Sequence, residues 1–178
     1  IQQATQVGPF PVWEYRQINA KMLGVDIDVN LHLTDNLTYR GRGAYLYGQD
    51  TSNDEPLILM MPTNFSNSLE YQRKDWKNFY VNLENKTVLK QNRFPIHNSE
   101  IIFYDNGVEV TKTVDFSTPP PAYSLWNIQA GLNLTKNLSA GVSVQNLFNT
   151  AYRDYLNRLR YFSDDLGRNI IINFRYNF

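Results

Sequence analysis

The chain has 178 residues, its 17 Lys and Arg residues are balanced by 17 Asp and Glu residues, and it contains no cysteine. The balanced charge, with no basic patch, argues against nucleic acid as a partner. The lack of cysteine excludes a disulfide framework and a thiolate zinc site. No apolar run approaches the roughly 20 residues that a membrane helix needs, and the many Tyr and Asn residues favour strands and turns.

Strict alternation marks the first predicted strand. From Leu23 to Leu33 every second residue is apolar, and Asp26 and Asp28 lie among the polar residues of the other face. A period of two is the geometry of a β-strand, whose successive side chains point to opposite faces. We therefore expect a strand with one apolar and one polar face.

A return strand follows the turn residues at 34–36. In Leu37–Gln49, apolar or small residues alternate with a face that carries Arg40 and Arg42. Turning either arginine towards lipid near the middle of a membrane would cost about 2–4 kcal/mol. The register of this strand is therefore predicted to place both guanidinium groups on the inner, polar face.

Five further alternating segments bring the predicted wall to seven strands. Glu84 and Arg175 fall on the polar faces of two of them. The segments are Asn64–Gln72, Asn78–Leu89, Leu125–Leu134, Leu138–Val144 and Ile170–Phe178.

The connections between these strands differ in length in a regular way. Short turns are predicted near Asp35, Lys74 and Lys136, and long links over 51–63, 91–123 and 149–168. Transmembrane barrels have short turns on the periplasmic side and long loops outside. The link 91–123 is predicted to contain a hairpin of its own, Glu100–Tyr104 and Val108–Phe116, because Asn106-Gly107 is a strong two-residue turn signal.

A wall with one lipid-like face needs an apolar medium on that side and water or polar protein on the other. The predicted fold is therefore an all-β, antiparallel, up-and-down transmembrane β-barrel, which leaves no unpaired edge in the membrane. Single-chain bacterial barrels normally have an even number of strands, with eight the usual minimum. Seven strands thus indicate a partial barrel. A soluble barrel shows the same alternation and stays an alternative.

A more specific signal lies between residue 141 and the end of the chain. Asn146–Asn149, followed by Tyr152, resembles the Asn-Leu-Phe-Asn/Asp-x-x-Tyr segment of TonB-dependent outer-membrane receptors. Gly167-Arg168 and a strand that ends on Phe178 resemble the final strand of the same receptors. Leu166 departs from the pattern, since the family often has proline there.

The resemblance implies that residues 1–178 are the C-terminal segment of an outer-membrane barrel domain of about 22 strands. The plug domain of such receptors, and the segment that engages the periplasmic energy-coupling protein, are absent from this chain. The implied partners are outer-membrane lipid, the missing plug and remaining barrel strands, the energy-coupling protein and the barrel-assembly machinery. The implied location is the bacterial outer membrane, and no cofactor is implied.

The candidate functional residues form three groups. Those predicted to face the lumen are Asp26, Asp28, Arg40, Arg42, Glu84 and Arg175. The outer-loop ligand candidates are Arg158, Arg160 and Tyr161, since binding residues favour loops on a rigid scaffold. By the resemblance, the barrel-assembly signal is Phe174, Tyr176 and Phe178.

No catalytic or metal site is predicted. His32 and His97 lie on different elements without the spacing of metal ligands. For Asp26 and Asp28, an ion-pair ladder with Arg40 or Arg42 is the first interpretation, a contact with a plug domain the second, and catalytic carboxylates a distant third. The aromatic residues suited to interfacial girdles are Tyr15, Tyr45, Tyr47, Trp76, Trp126, Phe174, Tyr176 and Phe178.

Three functions are consistent with this pattern, and none is an enzyme. The first is the energised uptake of a bulky nutrient, such as an iron chelate, cobalamin or an oligosaccharide, by a TonB-dependent receptor. The second is a passive porin or adhesin barrel without a plug. The third is a soluble β-barrel that binds a small ligand.

Overall fold

The structure is a computed structural model that describes residues 2–7, 10–14, 17–96, 98–115 and 118–178. Tyr15, His97 and Phe116, to which predictions were attached, lie outside the described residues. The strands are β1 (Gln2–Val7), β2 (Phe10–Glu14), β3 (Ala20–Thr34), β4 (Leu37–Asp50), β5 (Glu55–Pro56), β6 (Asn64–Arg73), β7 (Phe79–Val88), β8 (Asn98–Asp105), β9 (Val108–Asp115), β10 (Tyr123–Asn133), β11 (Leu138–Gln145) and β12 (Asn169–Tyr176). One 3₁₀ helix spans Arg158–Tyr161.

Seven long strands form one antiparallel sheet in the order β12-β11-β10-β7-β6-β4-β3, and the short β5 pairs with the end of β4. These are the seven predicted wall strands, so the all-β prediction is confirmed. The sheet is open, because β3 and β12 are its edges. The last strand ends at Tyr176, two residues before the predicted end.

Two separate two-stranded sheets complete the strands of the described ranges. The pairing of β8 with β9 confirms the predicted hairpin, and its turn residues Asn106 and Gly107 have φ of 50° and 82°. Positive φ at both positions matches the type I′ turn that suits the twist of a hairpin. The pairing of β1 with β2 was not predicted.

The register of the large sheet continues a polar and an apolar face from one strand to the next. One row of register partners carries polar residues and the next row carries apolar ones, because side chains alternate along each strand. The polar row is Asn30, Arg40, Ser68, Glu84 and Asn127. The apolar row is Leu31, Tyr39, Leu69, Leu83, Ile128, Val144 and Ile170.

The apolar face is largely open in this chain. Ile27 is 60 % exposed and Ile172 is 66 % exposed. Contiguous apolar surface of this kind marks contact with lipid or with another protein. Among the described residues, no helix has the length and apolar character that crossing a bilayer requires.

The two ends of the sheet differ in their connections. The short-turn end carries the turns at 35–36, 74–78 and 134–137, and the long-loop end carries the links at 51–63, 89–122 and 146–168. The small buried core of Val88, Tyr123 and Leu125, with Tyr152 packed against it, lies at the long-loop end. That end is therefore the more rigidly packed of the two.

The strands are staggered relative to these ends. Leu37 and Ala130 belong to one row of register partners. Leu37 is one residue from the turn at Asn36, whereas Ala130 is four residues from the turn that starts at Leu134. The row thus climbs by about one residue per strand, which is the stagger of strands tilted by roughly 35–45° in a closed barrel.

Aromatic side chains lie near both ends. Trp76, whose ring centroid is 4.9 Å from that of Phe79, belongs to the short-turn end, as do Tyr176 and Phe178. Tyr45, Tyr47 and Trp126 lie towards the long-loop end. Two aromatic bands on the apolar side are the arrangement of girdles at the two interfaces of a membrane.

Candidate binding surfaces

Hydrogen bonds connect neighbouring strands across the polar face. Arg42 on β4 donates from Nε to Oδ2 of Asp28 on β3 at 2.7 Å, and the two residues are register partners. Arg40 donates from Nη1 to Oε2 of Glu70 on β6 at 2.9 Å. The two arginines of β4 therefore reach acids on opposite neighbouring strands.

Glu84 continues these contacts to the next strands. Its Oε1 accepts a hydrogen bond from Ser66 Oγ at 3.1 Å, and its Oε2 accepts one from Asn127 Nδ2 at 2.9 Å. Asn127 Oδ1 in turn accepts the backbone N–H of Asn146 at 3.0 Å, just after β11. One carboxylate thus joins β6, β7 and β10, and through Asn127 it reaches the loop that follows β11.

The ion pairs of this face are open to solvent. The side chains of Arg42 and Asp28 are 69 % and 62 % exposed, and those of Arg40 and Glu70 are 40 % and 28 % exposed. Exposed ion pairs contribute about 0–1 kcal/mol each, so they explain little of the stability. They leave charged groups on a surface that water or a polar domain can cover.

The remaining predicted members lie on the same face. Asp26 is the register partner of Ala44, and Arg175 is the register partner of Ser139. His32 Nδ1 lies 3.1 Å from Thr38 Oγ1, which is a polar contact between β3 and β4. Within the described part of the chain, no group of three or more potential metal ligands is close enough to hold an ion.

Asn146 organises the 146–168 loop from its first residue. It is 4 % exposed and has a φ of 50°. Its Nδ2 donates to the carbonyl of Thr150 at 2.9 Å and its Oδ1 accepts the N–H of Thr150 at 2.8 Å. Asn tolerates the left-handed backbone conformation better than other non-glycine residues. Asn146 therefore permits the sharp turn of the backbone and also makes both buried hydrogen bonds to Thr150.

The two halves of the sequence motif meet in space. Asn149, with a φ of 54°, accepts the backbone N–H of Arg168 on its Oδ1 at 2.8 Å. Asn149 Oδ1 would lie 2.7 Å from a Cβ added at Gly167, so only glycine fits there without displacement. The contact joins the start of the loop to the residue that precedes β12.

Two aspartates hold the middle of the loop against the sheet. Asp154 accepts a hydrogen bond from Tyr123 Oη at 2.7 Å. Asp165 accepts the N–H of Asp154 and the Nδ2 of Asn157, each at 2.7 Å. Burial, together with the charges of Asp165 and Asp154, raises the pKa of Tyr152 above its ordinary value. The phenol is therefore held neutral.

Arg160 differs in environment from the other outer-loop candidates. It is 4 % exposed, and its Cζ lies 4.4 Å from the ring centroid of Tyr155 and 4.6 Å from that of Tyr161. Its Nη2 donates to Tyr161 Oη at 2.7 Å. Arg158 is exposed. Of the two arginines, Arg158 is the one that a ligand can reach without a rearrangement.

Sequence reasoning missed the residues that build this loop. Asn127, Asp154 and Asp165 were not predicted to be functional, because no sequence motif marks the contacts that they make across the fold. The available signal was the density of Asx residues between 146 and 165, since Asn and Asp bond readily to nearby backbone groups in turns.

Solved structures of outer-membrane proteins are similar to this chain in overall fold. A copper transporter, OprC, superposes with a TM-score of 0.72 and 18 % identity over 90 % of this chain and 24 % of its own. The ferripyoverdine receptor of the Pseudomonas aeruginosa outer membrane superposes with a TM-score of 0.66 and 21 % identity, over 92 % and 20 %. FpvA from the same organism, bound to pyoverdine, superposes with a TM-score of 0.61 and 20 % identity, over 99 % of this chain and 24 % of its own.

The chain has the fold of a TonB-dependent receptor barrel. It spans about a quarter or less of the length of each of these similar structures. The open sheet therefore has the form of a partial barrel, as predicted. No protein-family model and no curated protein matches the chain, so the likeness rests on three-dimensional arrangement at low sequence identity.

Proposed function

We propose that the chain is the C-terminal part of the barrel wall of a TonB-dependent outer-membrane receptor, which takes up a bulky nutrient with energy supplied through a periplasmic partner. The observation that carries the proposal is the two-faced sheet, with hydrogen-bonded polar residues on one side and exposed apolar residues on the other. The similarity in fold to a copper transporter and a ferripyoverdine receptor supports it.

A metal chelate is the substrate class that we favour. One similar structure is named a copper transporter and two others are a receptor bound to ferripyoverdine or pyoverdine. Cobalamin or an oligosaccharide remains an alternative cargo of the same proposal. The chain would contribute the lumen wall and outer loops, and the plug domain of the whole receptor would contribute the rest of the binding site.

The partners follow from the surfaces. The ion pairs of Arg42 with Asp28 and of Arg40 with Glu70 would face the plug, whose polar groups would cover them. The apolar face would contact outer-membrane lipid. Phe174, Tyr176 and Phe178, which are 69 %, 58 % and 110 % exposed, would be read by the barrel-assembly machinery before the barrel closes.

The deciding experiment measures uptake by cells that express the full-length parent protein. Accumulation of a ferric chelate is compared with and without the energy-coupling partner, and after the membrane potential is dissipated. A receptor loses accumulation in both cases, whereas a passive porin keeps it. Passive uptake, or recovery of the protein in the soluble fraction, would sink the proposal.

A second arm asks whether this segment belongs to the wall. A parent protein without residues 20–178 should fail to reach the outer membrane, because an open sheet leaves unpaired backbone groups in lipid. Normal membrane insertion of the shortened protein would contradict the assignment of the seven strands to the wall.

A further inference from the structure

Four polar side chains interrupt the apolar face of β6, β7 and β10. Asn67 on β6 is the register partner of Asn85 on β7, and Thr87 on β7 is the partner of Ser124 on β10. Residues two apart along a strand share a face. Asn67 therefore lies on the same side as Leu69 of the apolar row, and the other three lie on that side by the same alternation. We call these four residues the outward polar cluster.

The outward polar cluster lies inside the apolar band and not at its edge. Asn67 is six residues from Arg73, whose ion pair with Asp75 lies at the short-turn end. At about 3.3 Å per residue and a tilt of roughly 40°, this separation is about 15 Å along the barrel axis, in a band about 25 Å tall. Towards the long-loop end, the exposed side chains of Phe65 and Leu89 continue the apolar face. In a membrane, the amide of Asn67 would therefore meet hydrocarbon unless a protein covers it.

Three members of the cluster bond to one another, and Asn67 does not. Asn85 Nδ2 donates to Ser124 Oγ at 2.7 Å, and Thr87 Oγ1 donates to Asn85 Oδ1 at 3.1 Å. Asn67 Oδ1 accepts the hydroxyl of Tyr39 at 2.7 Å. Among the described residues, the Nδ2 of Asn67 has no acceptor. Amide N–H groups without a partner are costly in hydrocarbon, so this side chain favours a contact that supplies an acceptor.

We propose that the outward polar cluster is the centre of an interface between two copies of the receptor within the outer membrane. Two copies inserted in the same direction are related by a twofold axis along the membrane normal, which brings a residue near the axis against itself at equal depth. Asn67 suits that position, because one amide carries both a donor and an acceptor. The Nδ2 of each copy donates to Oδ1 of the other, on the lone pair that Tyr39 leaves open.

The surface around Asn67 fits an identical surface. Across β3, β4, β6, β7 and β10, the row of Asn67 and the next row on either side of the same face contain no Asp, Glu, Lys or Arg, so two copies do not repel each other. Gly41 is the partner of Asn67 on β4, and a Cβ added there would lie 2.7 Å from Tyr39 Oη. Small residues at such a contact let two membrane proteins approach closely. The inference rests on the proposed membrane location but not on transport.

The first test measures the association of the purified full-length parent protein in detergent by analytical ultracentrifugation. Asn67→Leu should raise the dissociation constant of the dimer about eightfold, the change that two membrane hydrogen bonds of average strength produce. Asn173→Leu is the matched control, because it makes the same change on the polar face, where Asn173 is the register partner of Gly141. It should leave the constant unchanged. A monomeric parent protein, or equal effects of the two variants, would overturn the interface.

Cross-linking in intact outer membranes identifies the surface and the partner. Leu69→Cys and Ile172→Cys are compared on the same apolar face, each in a protein with no other cysteine. Ile172 lies on β12, four strands from β6. At about 4.8 Å per strand, its two copies would be about 38 Å apart across the axis. A short bifunctional maleimide should therefore link Leu69→Cys alone, and adding Asn67→Leu should lower the yield.

Two results of the cross-linking would contradict the proposal. Equal yields from Leu69→Cys and Ile172→Cys would show random collision. A link from Leu69→Cys to a chain of different mass would show another membrane protein in place of a second copy. Recovery of the parent protein in the soluble fraction would sink the proposed function as well, whereas a monomeric receptor in the membrane would sink only this interface.

Discussion

Asn149 and Arg168, 19 residues apart, are joined by a hydrogen bond of 2.8 Å from the backbone N–H of Arg168 to Asn149 Oδ1. The bond ties the residue that ends the Asn-Leu-Phe-Asn motif to the residue that precedes the last strand. Together with the contacts of Asn146, it makes the 146–168 loop a closed unit on the long-loop end of the sheet. A loop built in this way presents side chains from a rigid base.

We expect Asn146→Ala to destabilise this loop by about 2–3 kcal/mol, because it removes two buried hydrogen bonds and places alanine at positive φ. Asn146→Gly removes the same bonds without the backbone strain, so its effect should be about 1 kcal/mol smaller. Hydrogen exchange of the amides between 146 and 168 measures both. Equal effects of the two variants would show that the left-handed conformation carries no cost here.

We expect the two arginines of the 3₁₀ helix to have different roles, Arg160 in the stability of the loop and Arg158 in ligand binding. Arg160→Met should loosen the loop by about 2 kcal/mol, because it removes the stacking on Tyr155 and the hydrogen bond to Tyr161. Arg158→Met should leave hydrogen exchange of the loop unchanged. It should weaken the binding of an anionic ligand to the whole receptor. If Arg158→Met loosens the loop as much as Arg160→Met does, the assigned roles are wrong.

Alkaline pH should open the same loop. The pKa values of Tyr152 and Tyr155 are raised above 10.0, chiefly by burial. A group whose pKa is higher in the folded state stabilises that state fully below its unfolded pKa. The contribution is therefore lost as the pH rises from about 10 through the raised values.

Tyrosinate absorbance during an alkaline titration, followed together with hydrogen exchange of the loop, checks this expectation. Tyr152→Phe should remove part of the late absorbance change. It should also make the loop less sensitive to alkali. Loop opening well below pH 10 would point to a different titrating group.

The orientation of the sheet can be tested with cysteines, since the chain has none of its own. Ile27 and Asp28 are neighbours on β3, and both residues are exposed in this chain. In membranes, Asp28→Cys should react with an aqueous maleimide at least about tenfold faster than Ile27→Cys, because a thiol in apolar surroundings resists ionisation. Equal rates would contradict a membrane wall with its polar face inward.

The seven strands and the separation of their faces could be predicted from the sequence, because alternation is a local property of each strand. Leu23–Leu33 shows this directly, since its apolar and polar faces need no partner to be recognised. The turn at Asn106-Gly107 is equally local, because its two residues suffice for positive φ.

The partners of individual side chains were decided by the tertiary structure. The sequence allowed Arg40 or Arg42 to meet Asp26 or Asp28, and the register pairs Arg42 with Asp28 but turns Arg40 to Glu70 on β6. That choice depends on the alignment of strands 30 residues apart, which no local pattern records. Arg160 could not be recognised as buried for the same reason, since its exposure depends on two rings brought over it by the loop.

The motif was enough to predict the resemblance of the last strands to TonB-dependent receptors. It did not predict the contacts that the motif residues make. Only the folded chain shows that Asn149 of one motif accepts the N–H of Arg168 in the other. Sequence therefore determined which residues form strands and which face they take, because side-chain alternation is intrinsic to the backbone. Tertiary structure determined which polar groups satisfy one another, because hydrogen bonds between distant residues depend on register and loop closure.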